Sequence, residues 1–126
     1  MARADRPAAG VADGNTGTRA EALAADYLCR QGLTLLERNF RTRRGEIDLV
    51  MRDGGVIVFV EVRLRTNAAF GGAAASITPA KQARLVAAAQ VYLARLGREP
   101  PCRFDAVLLD ALAPDRIAWE RHILER

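Results

Sequence analysis

The fold of this chain is decided by residues 46–64, which read EIDLVMRDGGVIVFVEVRL. At its outer ends, residues 46–49 and 60–64, this stretch alternates between polar and apolar residues, and Gly54 and Gly55 separate its two halves. Such alternation is typical of β-strands, and two glycines suit the positive φ angles of a tight hairpin turn. The stretch therefore predicts two antiparallel strands, over residues 46–53 and 56–64.

A two-residue turn at Gly54-Gly55 also fixes which side chains face each other across the hairpin. Asp48 then lies directly opposite Glu61, and Glu46 lies opposite Arg63. The other face predicts an apolar core, with Ile47, Leu49 and Met51 on one strand and Val58, Val60 and Val62 on its neighbour. The polar face brings two carboxylates to a Cβ separation of about 5 Å.

Like charges directly across a ladder are destabilising, so something must compensate for the Asp48–Glu61 pair. One explanation is a bound divalent cation, which prefers hard oxygen ligands. The other is a local ion pair, because Arg63 is two residues from Glu61 on the same face. Spacing alone leaves both explanations open.

Helical periodicity predicts two helices. The first begins at Thr18, where Thr18 and Glu21 form a capping-box pattern, and it ends at Gly32. The second begins after Thr78, which precedes a proline at the first helical position, and it ends at Gly97.

Further strands are predicted over residues 33–39, 103–110 and 117–124. Because a helical crossover joins the third and fourth strands, these two run parallel. The predicted fold is α/β, a mixed central sheet of four to five strands flanked by helices. Residues 1–14 are expected to form a disordered tail, and residues 15–126 a single domain.

Composition narrows the classes of function. The chain has 126 residues and no apolar run of the ~20 residues needed to span a membrane. Cys29 and Cys102 lack metal-ligand spacing, and we expect two reduced thiols in a cytoplasmic protein. The net charge of +4 is carried almost wholly by arginine, since Lys81 is the only lysine. Such a surface suits phosphate-bearing partners.

Two strings carry a family resemblance: GEID at residues 45–48 and FVEVR at residues 59–63. Together they resemble the D…E-X-K core of the PD-(D/E)-X-K, restriction-endonuclease-like nucleases. The chain is more narrowly similar to the YraN-like uncharacterised family of bacteria, and archaeal Holliday-junction resolvases have a similar layout. This likeness spans residues 17–124 and further includes Glu21, Arg38-Asn39, Lys81 and Arg103-Phe104-Asp105.

The resemblance implies a restriction-endonuclease-like fold and a metal site. Asp48 and Glu61 would bind Mg²⁺ or Mn²⁺ with help from the Val62 carbonyl, and Glu21 would reach the metal from the first helix. The capping box explains Glu21 without catalysis, so that alternative stays open. In related nucleases the metal activates water and stabilises charge on the scissile phosphate.

One position departs from the family pattern, because Arg63 replaces the lysine of E-X-K. Arginine can bind a phosphate but cannot accept a proton at neutral pH. Lys81 lies on the apolar line of the second helix and is expected to face inward, either replacing the missing lysine or snorkelling at the sheet edge. The expected catalytic residues are therefore Asp48, Glu61, Arg63 and Lys81.

The nucleic-acid contacts are expected to come from five arginines near the hairpin, unless these form only a solvated loop: Arg38, Arg41, Arg43, Arg44 and Arg65. Asp105 is either a site residue or a strand residue paired with an arginine. The leading hypothesis is a Mg²⁺-dependent nuclease on structured or branched DNA, for which a homodimer would be suitable. The alternative is a non-catalytic nucleic-acid-binding or protein-interaction module that retains the nuclease fold.

Overall fold

A computed structural model describes residues 12–64 and 78–124, with side chains from residue 16 onward. Arg65 and most of the predicted tail lie outside the described residues. The elements in chain order are α1 (Ala12–Arg30), β1 (Thr34–Arg41), β2 (Glu46–Asp53), β3 (Val56–Leu64), α2 (Pro79–Leu96), β4 (Cys102–Leu109) and β5 (Ile117–Glu120).

The described strands form one five-stranded mixed sheet in the order β1-β2-β3-β4-β5. Among them only β3 and β4 run parallel, because α2 joins them as a crossover, and the other neighbouring pairs are antiparallel. The predicted α/β class with a mixed sheet is confirmed, and this arrangement is compatible with a restriction-endonuclease-like fold. In the described part of the chain, neither helix is long and apolar enough to cross a membrane.

Both faces of the sheet are covered, which makes a three-layer core. Along β3, Val58 and Val60 are buried under α1, whereas Ile57 and Phe59 are buried under α2. The hairpin register is as predicted, with Asp53 paired to Val56 and Leu49 to Val60. A strand buried on both faces needs apolar residues at nearly every position, which explains the run from Val56 to Val60.

The predicted apolar face is wrong at Ile47. Ile47 packs under α2 with its cross-strand partner Phe40, whereas Leu49 packs under α1. Asn39, between the paired Arg38 and Phe40, adopts a φ of 54°, which breaks the regular alternation of the pleat at this point. The switch of face in β2 therefore falls at Asp48.

The predicted ends are correct for helix α2 but not for the start of helix α1. Helix α2 begins and ends as predicted: the Thr78 side chain accepts a hydrogen bond from the Lys81 N–H, and Gly97 has a φ of 73°. Helix α1 begins at Ala12, so the predicted start at Thr18 is wrong and residues 12–14 are helical. Residues 12–17 contain no proline, so no residue there breaks the backbone hydrogen bonds of a helix. Helix α1 therefore extends before Thr18, and the capping-box pattern lies inside it.

The last strand is shorter than predicted. It ends at Glu120 instead of residue 124. His122 has a φ of 57°, which an extended strand does not permit, and the Ile123 N–H donates back to the Phe104 carbonyl of β4.

The turn between β1 and β2 is pressed against α2. The Thr42 N–H and hydroxyl both donate to the Gly45 carbonyl, and the hydroxyl oxygen accepts from the Gly45 N–H at 3.1 Å. A Cβ placed on Gly45 would overlap the Arg84 carbonyl oxygen, which belongs to the backbone of α2. Glycine is therefore required here for close approach between turn and helix.

We expect Gly45→Ala to lower the free energy of unfolding by about 1–3 kcal/mol, since the clash is with backbone that cannot rotate away. Gly55→Ala is the matched control, because a Cβ there meets nothing within 4 Å. It should change stability by less than about 0.5 kcal/mol. Urea denaturation of both variants measures the difference, and equal stability would contradict the close approach.

Candidate active site

A cavity of about 480 Å³ opens where the β1–β2 turn, the ends of β2 and β3, and the start of α2 meet. The turn forms one wall, α2 forms another, and the two strands supply the floor. The lining is dominated by charged residues and comprises Arg41, Thr42, Arg43, Arg44, Gly45, Glu46, Asp48, Glu61, Val62, Arg63, Lys81, Arg84 and Leu85.

Asp48 lies where the β2–β3 ladder ends. The last backbone pairing is Leu49 with Val60, and beyond it Oδ2 of Asp48 accepts a hydrogen bond of 2.8 Å from the Val62 N–H. The carboxylate thus satisfies a donor that a strand carbonyl would otherwise meet. Burial raises the pKa of Asp48 above its ordinary value, while the Val62 hydrogen bond opposes this shift.

Glu61 lines the same cavity from β3, so the two carboxylates lie in one cavity, although the backbone pairing of β2 with β3 ends one residue before them. Its side chain is only 17% exposed. Burial, followed by repulsion from Asp48, raises the pKa of Glu61 from 4.5 to about 7. The two carboxylates therefore experience the mutual repulsion expected from the sequence.

Arg63 forms the local ion pair that was one of the two predicted ways to compensate for the repulsion between Asp48 and Glu61. Its Nη2 lies 2.8 Å from Oε2 of Glu61, and its side chain is 23% exposed. Arg63 lowers the pKa of both carboxyl groups, yet both remain raised. The ion pair therefore compensates for only part of the repulsion.

Helix α2 contributes two cations to the opposite wall. Lys81 faces inward as predicted, and its charge lowers the pKa of both Asp48 and Glu61. Arg84 was not identified from the sequence. Its spacing of three residues from Lys81, which places both on one side of a helix, is a signal that could have found it.

The predicted arginine cluster divides into two parts. Arg41, Arg43 and Arg44 line the cavity, and Arg41 also forms an exposed ion pair with Glu46 at 3.3 Å. Arg38 is not among the lining residues; its charge acts on Glu21 instead.

Glu21 lies close to Asp48 but outside the cavity lining. Its Oε1 accepts a hydrogen bond of 3.1 Å from Asn39, and burial, then repulsion from Asp48, raises its pKa. Because α1 begins at Ala12, capping does not explain this glutamate. No described group of three or more histidine, cysteine or carboxylate side chains forms a ready-made metal site. The role of Glu21 as a metal ligand therefore stays a prediction.

Asp105 belongs to a separate, structural cluster. It is fully buried and accepts hydrogen bonds from Arg103 Nε, Trp119 Nε1 and the His122 N–H. Arg103 also pairs with Asp53 of the hairpin at 3.1 Å. These contacts fasten β5 to β4 and β4 to the β2–β3 turn, and they satisfy a buried charge that would otherwise be destabilising.

Comparison with known proteins places this arrangement in a family. The profile of the uncharacterised protein family UPF0102 matches residues 20–109, a span that contains every predicted site residue. This chain belongs to the UPF0102 family. The predicted similarity to the YraN-like uncharacterised family of bacteria is thereby confirmed.

Individual relatives within UPF0102 are similar over most of their length. A UPF0102 protein of Nitrosomonas eutropha is 61% identical over 95 residues, which cover 75% of this chain and 82% of the relative. One of Cupriavidus taiwanensis is 58% identical over 110 residues, 86% of this chain and 82% of the relative. A third, of Alkalilimnicola ehrlichii, is 55% identical over 119 residues, 93% and 92% of the two chains.

The raised pKa of Glu61 predicts a pH-dependent stability in metal-free solution. The folded protein holds a proton between pH 4.5 and about 7 that the unfolded chain releases, so the free energy of unfolding falls as pH rises through this window. Glu61→Gln removes this contribution. We expect the variant to exceed the wild type at pH 8 by on the order of 2 kcal/mol and to match it near pH 4.

The control is Glu99→Gln, because Glu99 is exposed and lies outside the cavity. Denaturant unfolding in the presence of a chelator, at several pH values, measures the three proteins. A Glu61→Gln variant less stable than the wild type at pH 8 would contradict the electrostatic assignment.

Proposed function

We propose that this UPF0102 chain is a Mg²⁺- or Mn²⁺-dependent phosphodiesterase that acts on nucleic acid, with structured or branched DNA as substrate. One observation carries the proposal: two repelling, desolvated carboxylates lie on the floor of a cavity that six basic side chains line. Carboxylates suit a metal and basic walls suit a phosphate, so the cavity combines the two requirements of metal-assisted phosphodiester hydrolysis.

The donor set fits Mg²⁺. Asp48 and Glu61 offer hard oxygen ligands, and a dication would relieve the repulsion that keeps both pKa values raised. Mg²⁺ is commonly bound by one or two carboxylates together with substrate phosphate, so a third protein carboxylate is not required. The Val62 carbonyl and Glu21 are the further ligands that the family resemblance suggests. When bound, the metal would supply an activated water and stabilise charge on the phosphate.

The remaining cavity residues hold the reacting groups in place. The Val62 N–H fixes the Asp48 carboxylate at 2.8 Å. Arg63 and Lys81 face the carboxylates from a strand and a helix, where their charges would stabilise negative charge developing on a phosphate. Arg63 cannot accept a proton at neutral pH, so its role is electrostatic.

The arginine-rich wall would bind the nucleic-acid backbone. Arg43 and Arg44 are exposed at the turn, and Arg84 is exposed on α2 across the cavity. Guanidinium groups bind phosphates in a bidentate manner without reading sequence, so recognition of nucleic-acid shape is favoured. We place this activity in the cytoplasm, where the thiols of Cys29 and Cys102 would stay reduced.

The catalytic proposal predicts metal-dependent cleavage. With millimolar Mg²⁺ or Mn²⁺, the protein should cut branched DNA, and Asp48→Asn or Glu61→Gln should lower the rate by roughly 100-fold or more. Gel electrophoresis of end-labelled branched, single-stranded and duplex DNA measures this.

The matched controls are Asp110→Asn and Glu99→Gln, which alter exposed carboxylates outside the cavity and should leave the rate unchanged. Equal loss in the controls, or no cleavage of any substrate with either metal, would refute the catalytic proposal.

Arg63 favours a second candidate, a nucleic-acid-binding module without catalysis, because this position lacks the lysine of related nucleases. Cleavage gained only in the Arg63→Lys variant would identify such a module. In either case, backbone binding must weaken steeply as salt increases.

Binding should therefore depend on the turn arginines. Arg43→Gln should reduce the slope of log affinity against log salt by about one, whichever DNA sequence is used. Arg116→Gln is the control of equal charge change, since Arg116 pairs with Asp110 away from the cavity. Gel shifts across a salt series measure both variants, and identical slopes would exclude the turn as a phosphate contact.

A further inference from the structure

We propose that Arg63 is an exchangeable counter-ion: it neutralises Glu61 in the free protein and passes to a phosphate oxyanion when a dication takes its place. The consequence is that the dication and the oxyanion bind cooperatively, each promoting the other. This inference rests on the proposed metal-dependent function and assigns a binding subsite and a coupling to the same cavity.

The geometry of the Arg63–Glu61 contact supports an exchangeable pair. Nη2 of Arg63 lies 2.8 Å from Oε2 of Glu61, yet its N–H bonds do not point at that oxygen well enough to form a hydrogen bond. The contact is thus Coulombic without the directional bond that strengthens charge-assisted pairs. A dication competes for the same oxygen with twice the charge.

Arg63 also has donor capacity that Glu61 does not use. Its Nε and Nη2 atoms are shielded from solvent and have no hydrogen-bond partner among the residues that the structure describes. Leaving buried donors unsatisfied is unfavourable, so a ligand with several acceptor oxygens would be stabilised here. A tetrahedral oxyanion provides such oxygens, and guanidinium groups match its geometry.

Charge balance in the cavity points the same way. A dication would neutralise Asp48 and Glu61, which leaves Arg63 and Lys81 without their present counter-charges. Arg84 adds a further positive charge on the α2 wall. An anion then completes the balance, whereas without the dication the two carboxylates repel it. The dication therefore removes the carboxylate charge that repels the oxyanion. The oxyanion in turn supplies a counter-charge for the basic side chains that the dication leaves unpaired.

Equilibrium linkage makes the coupling reciprocal: if an oxyanion tightens dication binding by some factor, the dication tightens oxyanion binding by the same factor. The probes are Mn²⁺ and sulfate, which carries tetrahedral oxygens and cannot be hydrolysed. Mn²⁺ is titrated into the full chain by calorimetry, in sodium sulfate and in sodium chloride of equal ionic strength.

For the wild type we expect sulfate to lower the Kd for Mn²⁺ by about fivefold or more. Arg63→Gln frees Glu61 and should bind Mn²⁺ about fivefold more tightly than the wild type in chloride, with the sulfate effect lost. Arg84→Gln is the control for charge alone, because it removes a cation from the same cavity without freeing Glu61. In chloride its Kd should stay within about twofold of the wild type.

The outcomes separate this inference from the proposed function. If the wild type binds Mn²⁺ but sulfate leaves the Kd unchanged or raises it, the proposed cooperativity between dication and oxyanion is refuted. This result comes from the wild-type protein alone and does not depend on the folding of any variant. Equal tightening in Arg63→Gln and Arg84→Gln would also overturn the exchange, since total charge would then explain it. Absence of Mn²⁺ binding in all three proteins would instead refute the metal site.

Discussion

The structure depends on one hydrogen bond in which a side chain takes the place of a backbone carbonyl. Where the β2–β3 ladder ends, the Asp48 carboxylate accepts a hydrogen bond from the Val62 N–H. Without that acceptor, β3 would present an unsatisfied donor at the point where the two strands stop pairing. The same bond holds Asp48 beside Glu61, and it therefore fixes the two carboxylates that define the cavity floor.

Holding these carboxylates together is unfavourable in the free protein. Both pKa values are raised, and the positive charges of Arg63 and Lys81 reduce the repulsion without removing it. A protein selected only for stability would replace one carboxylate with an apolar or neutral residue. Retention of such a destabilising pair is typical of functional sites, where binding of the ligand removes the unfavourable interaction.

The sequence predicted the features that depend on residues close together in the chain, such as turns and helix ends. The glycine turn fixed the hairpin register, and Thr78 and Gly97 fixed the ends of α2. It failed where the pleat is interrupted: Ile47 changes face opposite the point in β1 at which Asn39 adopts a φ of 54°. Likewise, the close approach of Gly45 to the Arg84 carbonyl joins residues far apart in the chain, so the need for that glycine does not follow from any local pattern.

We propose that the Asp48–Glu61 pair is a cation site. Anomalous diffraction from crystals soaked in Mn²⁺ and sulfate tests it directly, because the signal locates the metal without reference to activity. We expect a peak between the two carboxylates, with Arg63 displaced from Glu61. A map without a peak there, with Arg63 still paired to Glu61, would contradict it.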